Sequence, residues 1–514
     1  MFWTRWKGIL ITYPTMGRMV DPDIVYIHLS EIRLPKSTSI SLKRPYLKTG
    51  LPDLQCFDFV NLIQKLTDDY GDVVRFWMGP QFTIYTGNPK WIEAILTNRN
   101  LTNKSDEYGF LSNWLGDGLL LSKRHKWHAR RKIITPAFHF KILDQFVEVF
   151  DRNAAELVDV LGKFAANGKT FDVFPYILLY TLDVICETAM GTSVDAMRNS
   201  DSEYVKAVKE AASISITRMY DVYMRTPLFY LTPGYQKLRK AIKMLHAYTD
   251  NVIVSRRMQL EASSNQSAEV ASEEHEYGGK KKEAFLDLLL KTSIEGRPLT
   301  NLEIREEVDT FMFEGHDTTT SGVSFTLYNL AKYPAIQQKV HDEIIAVFGT
   351  DPHKPITMAN LNELTYLEMV IKETLRLFPS VPIIGRKCVE EVTIEGKTVP
   401  AGTNIIIGIY YMGRDPNYYD NPLEFIPERF EGEKSVEKFN PYKYVPFSAG
   451  QRNCIGQKFA LNEVKSVISK LLRHYEFVLP ADQNHEPPVL SSELILKPHH
   501  GIPLQIKPRA PLTH

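Results

Sequence analysis

Residues 447–456 of this 514-residue chain read FSAGQRNCIG and stand just before a helical pattern over residues 456–475. Cys454 therefore precedes a helix N-terminus, whose partial positive charge favours the thiolate, the form in which cysteine binds metals. Gly450 and Gly456 allow a tight turn in which backbone N–H groups approach the sulfur and room is left for a flat ligand. The stretch predicts a thiolate site at the start of the last long helix.

The competing interpretation of Cys454 is a small buried hydrophobe, which is the usual role of an isolated cysteine. Arg452 argues against it, because a fixed guanidinium near the thiol suits the carboxylate of a bound ligand. The other three cysteines are far apart and lack CxxC spacing, so neither a zinc cluster nor a disulfide framework is expected. Lys and Arg together number 61, as do Asp and Glu, and this balance gives no indication of a nucleic-acid partner.

Helical periodicity dominates the chain from residue 122 to about residue 377, after short β-like stretches at residues 73–78 and 82–86. Thr300 and Glu303 have the spacing of a capping box, and the helical pattern that follows has no proline before Pro334. A helix of roughly 30 residues is about 45 Å long, so we expect it to cross the whole protein. The sequence therefore predicts a mainly α fold with a small β-sheet region.

Residues 46–514 are interpreted as one domain, in which a further helix is expected over residues 360–377. Residues 262–282 are rich in Ser, Glu, Gly and Lys, a composition typical of a flexible surface loop. Residues 1–45 form an atypical N-terminal segment. Its best apolar run is residues 8–13, whereas a membrane helix needs about 20 apolar residues, so no transmembrane segment is predicted.

Residues 447–456 resemble the haem-binding loop of the cytochrome P-450 superfamily, and the likeness extends over nearly the whole chain from about residue 58. Glu373 and Arg376 resemble the ExxR pair of the superfamily, and Arg429 lies in a matching PERF segment. The resemblance implies the cytochrome P-450 fold, with haem b (iron protoporphyrin IX) between the long helix and the helix after Cys454. Cys454 is then the axial iron ligand, and the other three residues form a buried charged cluster. Alone, Glu and Arg at this spacing are a common solvated pair.

Residues 127–131 read WHARR and resemble the WxxxR helix of the superfamily. Several arginines that converge on haem are physically sensible, because two buried propionates need cationic partners. Without the resemblance, residues 123–132 would be interpreted as a solvated basic face, and in the superfamily that face also docks an acidic reductase. The haem contacts implied by the resemblance are Trp127, Arg131, Arg386, Arg452, Phe447 and Gly456.

Residues 313–319 read FEGHDTT at the centre of the long helix and resemble the oxygen-activation motif of the superfamily. The resemblance implies that Gly315 lets the helix widen beside the iron, and that Asp317 and Thr318 relay protons to oxygen. A polar stripe on an exposed helix face is the competing interpretation. The apolar residues on both sides of the motif argue against it.

Glu314 stands where most of the superfamily has a small residue, and it is similar to the fatty-acid omega-hydroxylase branch, often called family four. In that branch the carboxylate forms an ester with a haem methyl group, which implies a covalently attached haem here. A carboxylate that only hydrogen-bonds near the haem is the alternative. The expected channel walls, each equally compatible with ordinary core, are Phe110, Leu119, Leu120, Val381, Ile383 and Ile384.

The implied activity is hydroxylation of fatty acids or similar long-chain lipids, with NADPH and O2, at the terminal (omega) carbon. The implied partners are NADPH–cytochrome P-450 reductase, cytochrome b5 and the cytosolic face of the endoplasmic reticulum (microsomal) membrane, which residues 219–235 are expected to touch. Two alternatives come from other classes: a haem-thiolate isomerase or dehydratase that acts on hydroperoxides, and a non-catalytic haem-thiolate binding protein. Asp317 and Thr318 argue against both, because neither function needs a proton relay.

Overall fold

A computed structural model describes residues 67, 71–78, 81–199, 202–220, 224–270, 284–294, 296–432, 440–481, 488–492 and 494–509. The N-terminal segment 1–45 lies outside the described residues. Within them the chain is mainly helical with several small sheets, so the predicted fold class is confirmed. In the described ranges, no helix combines the length and the apolar character needed to cross a membrane.

The helices are α1 Pro89–Thr97, α2 Ser112–Leu115, α3 Arg124–Ile134, α4 Phe140–Asn167, α5 Phe174–Ile185, α6 Glu203–Tyr220, α7 Pro233–Val270, α8 Phe285–Lys291, α9 Asn301–Lys332, α10 Pro334–Phe348, α11 Met358–Glu363, α12 Thr365–Leu377, α13 Ile409–Met412 and α14 Gln457–His474. The strands are β1 Val73–Met78, β2 Gln81–Thr86, β3 Phe171–Asp172, β4 Ser293–Ile294, β5 Arg297–Pro298, β6 Ile383–Lys387, β7 Val392–Ile394, β8 Lys397–Val399, β9 Asn404–Gly408, β10 Tyr475–Val478, β11 Leu490–Ser492, β12 Leu496–Pro498 and β13 Pro503–Pro508.

The largest sheet has the strand order β1-β2-β9-β6. β1 and β2, which match the two predicted β-like stretches, pair antiparallel, and β2 pairs in parallel with β9. Every residue of β9 is buried, and β6 pairs with it antiparallel at the edge of the sheet. The pairing sets Arg386 of β6 opposite Ile405 and thereby holds it in the interior, where its side chain is 1% exposed.

The predicted long helix is α9. The Thr300 hydroxyl accepts from the Glu303 N–H and the Glu303 carboxylate accepts from the Thr300 N–H, which is the reciprocal capping box expected from the sequence. Halfway along the helix, a Cβ added at Gly315 would lie 2.5 Å from Cδ1 of Ile185 in α5. Gly315 therefore lets the side chain of Ile185 pack directly against α9 at this point.

The helix predicted over residues 360–377 is in fact two helices, α11 and α12, which are separated at Leu364. Leu364 leaves helical geometry with ψ of 72°, and its side chain is fully buried. Glu343 of α10 caps the N-terminus of the second helix, because its carboxylate accepts from the backbone N–H groups of Tyr366 and Leu367. A cap supplied by another helix leaves no mark in the local sequence pattern.

The flexible loop predicted over residues 262–282 begins later than expected, because α7 continues as helix to Val270. Ala, Gln and Glu in this stretch are good helix formers, so composition alone does not separate a polar helix end from a loop. Residues 271–282 lie outside the described part of the chain.

Carboxylates in the first turns of α9 hold the loop between α2 and α3 in place. The Leu119 N–H donates to Oε2 of Glu307 at 2.9 Å. Arg130 of α3 is 1% exposed and lies 2.9 Å from Glu303 and 3.4 Å from Glu307. This buried charged contact fixes the position of Leu119, and burial raises the pKa of the Glu307 carboxyl from 4.5 to about 7.

The pKa of Glu307 predicts a pH dependence of stability. Between pH 4.5 and about 7 the folded protein keeps a proton that the unfolded chain has lost, so the free energy of unfolding falls as the pH rises through this window. We expect Glu307→Gln to flatten this fall in urea denaturation. Asp309→Asn is the matched comparison, because burial also raises the pKa of Asp309 to about 7. An unchanged slope in both variants would contradict the assignment.

Candidate functional site

A cavity of about 260 Å³ lies between α9 and the loop that carries Cys454. Most of its wall is apolar, with contributions from α5, α9, α14 and the segment 380–384. Of the expected channel residues, Leu119, Leu120, Val381, Ile383 and Ile384 line the cavity, whereas Phe110 does not. Phe110 instead packs under the guanidinium of Arg218, 4.8 Å from the ring centre, on the other side of its loop.

The thiol of Cys454 faces this cavity and is accessible from it, whereas Cys186 and Cys388 are buried. The Cys454 N–H donates to the Phe447 carbonyl at 2.9 Å and closes the loop. Burial raises the pKa of the thiol to about 11, although the Gly456 N–H and the Arg131 charge act in the opposite direction. The helix N-terminus alone therefore does not make the thiolate. A cation bound at the sulfur does, because coordination displaces the thiol proton.

Of the two glycines in this loop, Gly450 is the one required by the chain's own packing. Its φ is +67°, and any side chain there would run into the carbonyl of Leu96 at the end of α1. A Cβ at Gly456 would make only ordinary contacts, at 4.0 Å from the Cys454 sulfur. The close approach of α1 therefore explains Gly450, while Gly456 keeps the space beside the sulfur open.

Arg452 joins the Cys454 loop to the segment 102–122 through three hydrogen bonds. Its Nε donates to the Thr102 carbonyl at 3.0 Å, one Nη donates to the Leu119 carbonyl at 3.1 Å, and the other donates to the carbonyl of Ser122. The guanidinium lies 4.3 Å from the centre of the Trp127 ring. Three of its five N–H groups are thus used by carbonyls, which leaves two for an acceptor in the cavity.

Four basic side chains lie close together at one end of the cavity. They are the predicted Arg131, Arg386 and Arg452, and Lys104, whose pKa is held well below its usual value by burial and by the charge of Arg386. Lys104, Arg131 and Arg452 line the cavity, and Arg386 lies behind them, 3.4 Å from the Ser448 hydroxyl. Burial and the charge of Arg386 lower the pKa of Arg452 to about 9. Within the described ranges, no carboxylate makes an ion pair with any of the four.

Such a cluster of buried and half-buried basic groups fits a dianionic ligand, because carboxylates would replace the hydration that these groups have lost. The two propionates of haem supply two carboxylates, and Cys454 lies in the wall of the same cavity as a ligand for its iron. The residues present therefore fit haem. Lys104 was not expected from the sequence, because it lies in an irregular loop with no periodic or motif signal.

Glu314 and Thr318 of α9 both line the cavity, one helical turn apart. Burial raises the pKa of the Glu314 carboxyl, against the opposing charge of Lys104. The Thr318 hydroxyl donates to the Glu314 carbonyl at 2.7 Å, and the helix is regular across this turn. The widened turn expected at Gly315 is therefore not found in this structure.

Asp317 does not point into the cavity, although the sequence pattern suggested that it would act together with Thr318. Its Oδ2 lies 3.0 Å from Nζ of Lys497 in β12. Successive residues of an α-helix are rotated by about 100° from one another, so neighbours in sequence face different surroundings. The structure thus brings Glu314 and Thr318 to the cavity and places Asp317 at the contact between α9 and the β11–β12 hairpin.

The predicted partners Glu373, Arg376 and Arg429 lie in contact behind the Cys454 loop. Arg376 binds both carboxylate oxygens of Glu373 at 2.7 Å, and Arg429 lies 3.3 Å from the same carboxylate. Arg376 also donates to the carbonyls of Pro422 and Glu424 at 2.7 and 2.9 Å. Neither side chain of the inner pair has measurable exposure, so the cluster fixes α12 to the segment that leads towards the Cys454 loop.

A cavity with a thiol in its wall, a cluster of buried cations at one end and apolar surroundings defines a haem-thiolate protein. The chain belongs to the cytochrome P450 family, whose profile matches residues 54–505.

Three relatives are all from Drosophila melanogaster. Cytochrome P450 4d2 is 47% identical over 468 residues, which cover 90% of this chain and 91% of the relative. Cytochrome P450 4d1 is 46% identical over 88% of each chain, and cytochrome P450 4c3 is 44% identical over 88% of this chain and 85% of the relative. The protein is therefore a monooxygenase that binds haem b through a cysteine thiolate, receives electrons from a redox partner and acts on a hydrophobic substrate.

Proposed function

We propose that this monooxygenase hydroxylates fatty acids or similar long-chain lipids at the terminal (omega) carbon, with NADPH and O2. The observation that carries this proposal is Glu314, a half-buried carboxyl in the wall of the cavity that Cys454 also lines. A carboxyl in an apolar wall is costly unless it bonds to something, and haem is the ligand that this cavity fits. An ester between Glu314 and a haem methyl group would remove the charge of the carboxylate. Its formation takes a proton and two electrons from the methyl group, with O2 as the oxidant and NADPH supplying the other two electrons that reduce it to water.

The ester explains how the enzyme can select the end of a chain. A terminal methyl C–H bond is harder to break than those of the neighbouring methylene groups, so selectivity has to come from geometry. A haem fixed through Glu314 cannot shift towards the other carbons of the substrate chain. Leu119, Val381 and Ile384 line the cavity as apolar walls suited to an alkyl chain.

Haem, when bound, supplies the iron that activates dioxygen, and the side chains of this protein hold the haem and handle protons. Cys454 is proposed as the axial ligand, with Lys104, Arg131, Arg386 and Arg452 on the propionates. Phe447 and Gly456 line the cavity on either side of the sulfur, and Trp127 supports Arg452. The Thr318 hydroxyl faces the cavity, and Asp317 is the acid next to it in sequence. We assign proton transfer into the cavity to Thr318 and the replacement of its proton to Asp317.

We propose NADPH–cytochrome P450 reductase as the electron donor and cytochrome b5 as a second one. The exposed cations of the run 123–132 support this, because Lys123, Arg124 and Lys132 face solvent, and Arg131 of the same helix bonds to Asn453 of the Cys454 loop. Lys126 and Arg130 do not contribute freely, because both are held by carboxylates of α9. The docking face is therefore smaller than the sequence suggested.

We also propose the cytosolic face of the endoplasmic reticulum membrane as the site of action. In the segment after α6, the side chains of Leu228, Tyr230 and Leu231 are 66%, 50% and 82% exposed, whereas Phe229 is buried. Large apolar side chains that protrude together favour contact with the interface of a bilayer. Residues 221–223 of the predicted contact segment lie outside the described residues.

The proposed activity predicts a specific product. With reductase, NADPH and laurate, we expect the haem-loaded protein to form mainly 12-hydroxylaurate, identified by mass spectrometry, and no product without NADPH. A hydroperoxide isomerase or dehydratase would instead consume fatty-acid hydroperoxide without NADPH, and a binding protein would do neither. Products hydroxylated mainly inside the chain, or no product from a panel of fatty acids, would remove the omega assignment.

The covalent attachment predicts that haem resists extraction. After acidified organic extraction of the purified holoprotein, we expect part of the haem to stay with the wild-type chain, because the ester holds it. Glu314→Gln is the matched variant: it has the same shape and cannot form the ester, so it should release all of its haem. It should also form less omega product relative to internal hydroxylation. Complete release of unmodified haem from the wild type would rule out the ester.

A further inference from the structure

The β11–β12 hairpin is bonded to α9 at the turn that carries Asp317 and Thr318. The Ser321 hydroxyl donates to the Leu496 carbonyl at 2.7 Å. The Leu496 N–H donates to the Ser380 carbonyl at 2.8 Å, and the Ser380 hydroxyl donates in turn to the Thr318 carbonyl at 2.8 Å. These three bonds fix β12 on α9, so the side chain of the next residue, Lys497, has a defined place beside the helix.

Lys497 and Asp317 form an ion pair across this contact. Nζ of Lys497 lies 3.0 Å from Oδ2 of Asp317, and the two side chains are 21% and 6% exposed. An ion pair with so little access to water is screened less than a surface pair, so it restrains the carboxylate more strongly. The carboxylate is nearly buried while its partner reaches solvent, so the pair stands between bulk water and α9.

We propose that Lys497 is a positioning residue of the oxygenase reaction, which holds the Asp317 carboxylate on the outer side of α9 at the solvent end of the proton route to Thr318. This inference rests on the proposed proton roles of Asp317 and Thr318. Each proton that the Thr318 hydroxyl passes into the cavity is replaced by one from Asp317, and Asp317 takes its proton from bulk water. Lys497 itself neither gains nor loses a proton.

Two roles of the ion pair lead to different outcomes. If Lys497 acts through Asp317, its loss impairs proton supply, and oxygen that is reduced without product leaves as hydrogen peroxide. If the pair only attaches the hairpin, its loss disturbs the cavity wall, because Leu494 and Ile495 of the same hairpin line the cavity. Binding of substrate would then weaken, and the effect would not depend on Asp317.

The test compares Lys497→Met, Lys497→Arg and Lys507→Met as haem-loaded proteins with reductase. Lys507 lies on β13, the next strand in sequence, is exposed and is not part of the site, so Lys507→Met is the matched control. We expect Lys497→Met to lower product per NADPH about five-fold, with a matching rise in hydrogen peroxide and a larger solvent deuterium isotope effect. Lys497→Arg and the control should stay within two-fold of the wild type, and the substrate Kd from spectral titration should be unchanged in all.

The double variant Asp317→Asn/Lys497→Met shows whether the loss of Lys497 acts through Asp317. We expect Lys497→Met to have no further effect on product per NADPH when Asp317→Asn is already present. An equal loss in both backgrounds, a weaker substrate Kd, or no loss in the single variant would overturn the proposal. Product per NADPH is measured on whichever substrate the enzyme hydroxylates. Failure of the omega assignment would appear as product at another carbon and is therefore distinguishable from failure of the proposal on Lys497.

Discussion

The guanidinium of Arg452 donates to the carbonyls of Thr102, Leu119 and Ser122, three points on a wall that is far from Arg452 in sequence. This single buried cation joins the loop of Cys454 to residues 102–122, whose Leu119 also lines the cavity, and so fixes two parts of the cavity wall relative to each other. Among the described residues no carboxylate forms an ion pair with it, and three other basic side chains, Lys104, Arg131 and Arg386, lie close to it. Burial of uncompensated charge is unfavourable, so a dianionic ligand at this position stabilises the fold as it binds.

The long helix α9 lies between two different environments. Its inner side presents Glu314 and Thr318 to the cavity, and its outer side presents Asp317 to the hairpin and to Lys497. Gly315 makes the close contact with α5 that holds this helix in place. This contact and the hydrogen bonds of Ser321 and Thr318 to Leu496 and Ser380 set the position of α9, and with it the positions of its side chains at residues 314–318.

Short-range patterns in the sequence predicted the elements whose ends depend on interactions between residues close together in the chain. The capping box of Thr300 marked the start of α9, and the cysteine loop marked the start of α14, because both are short-range patterns. What the sequence did not show depends on contacts between distant residues. Lys104 joins the cation cluster from an irregular loop, and the break at Leu364 depends on a cap from another helix. The surroundings of Asp317 depend on where β12 packs against α9.

The central claim is that the sulfur of Cys454 is the iron ligand, and the direct measurement is the absorption difference spectrum of the reduced, haem-loaded protein with and without carbon monoxide. A thiolate opposite carbon monoxide produces a strongly red-shifted Soret band that a neutral imidazole does not. We expect this band in the wild type and in Cys388→Ala, whose thiol is buried away from the cavity, and its loss in Cys454→His. A wild-type protein that binds haem without this band, or a Cys454→His variant that keeps it, would contradict the account.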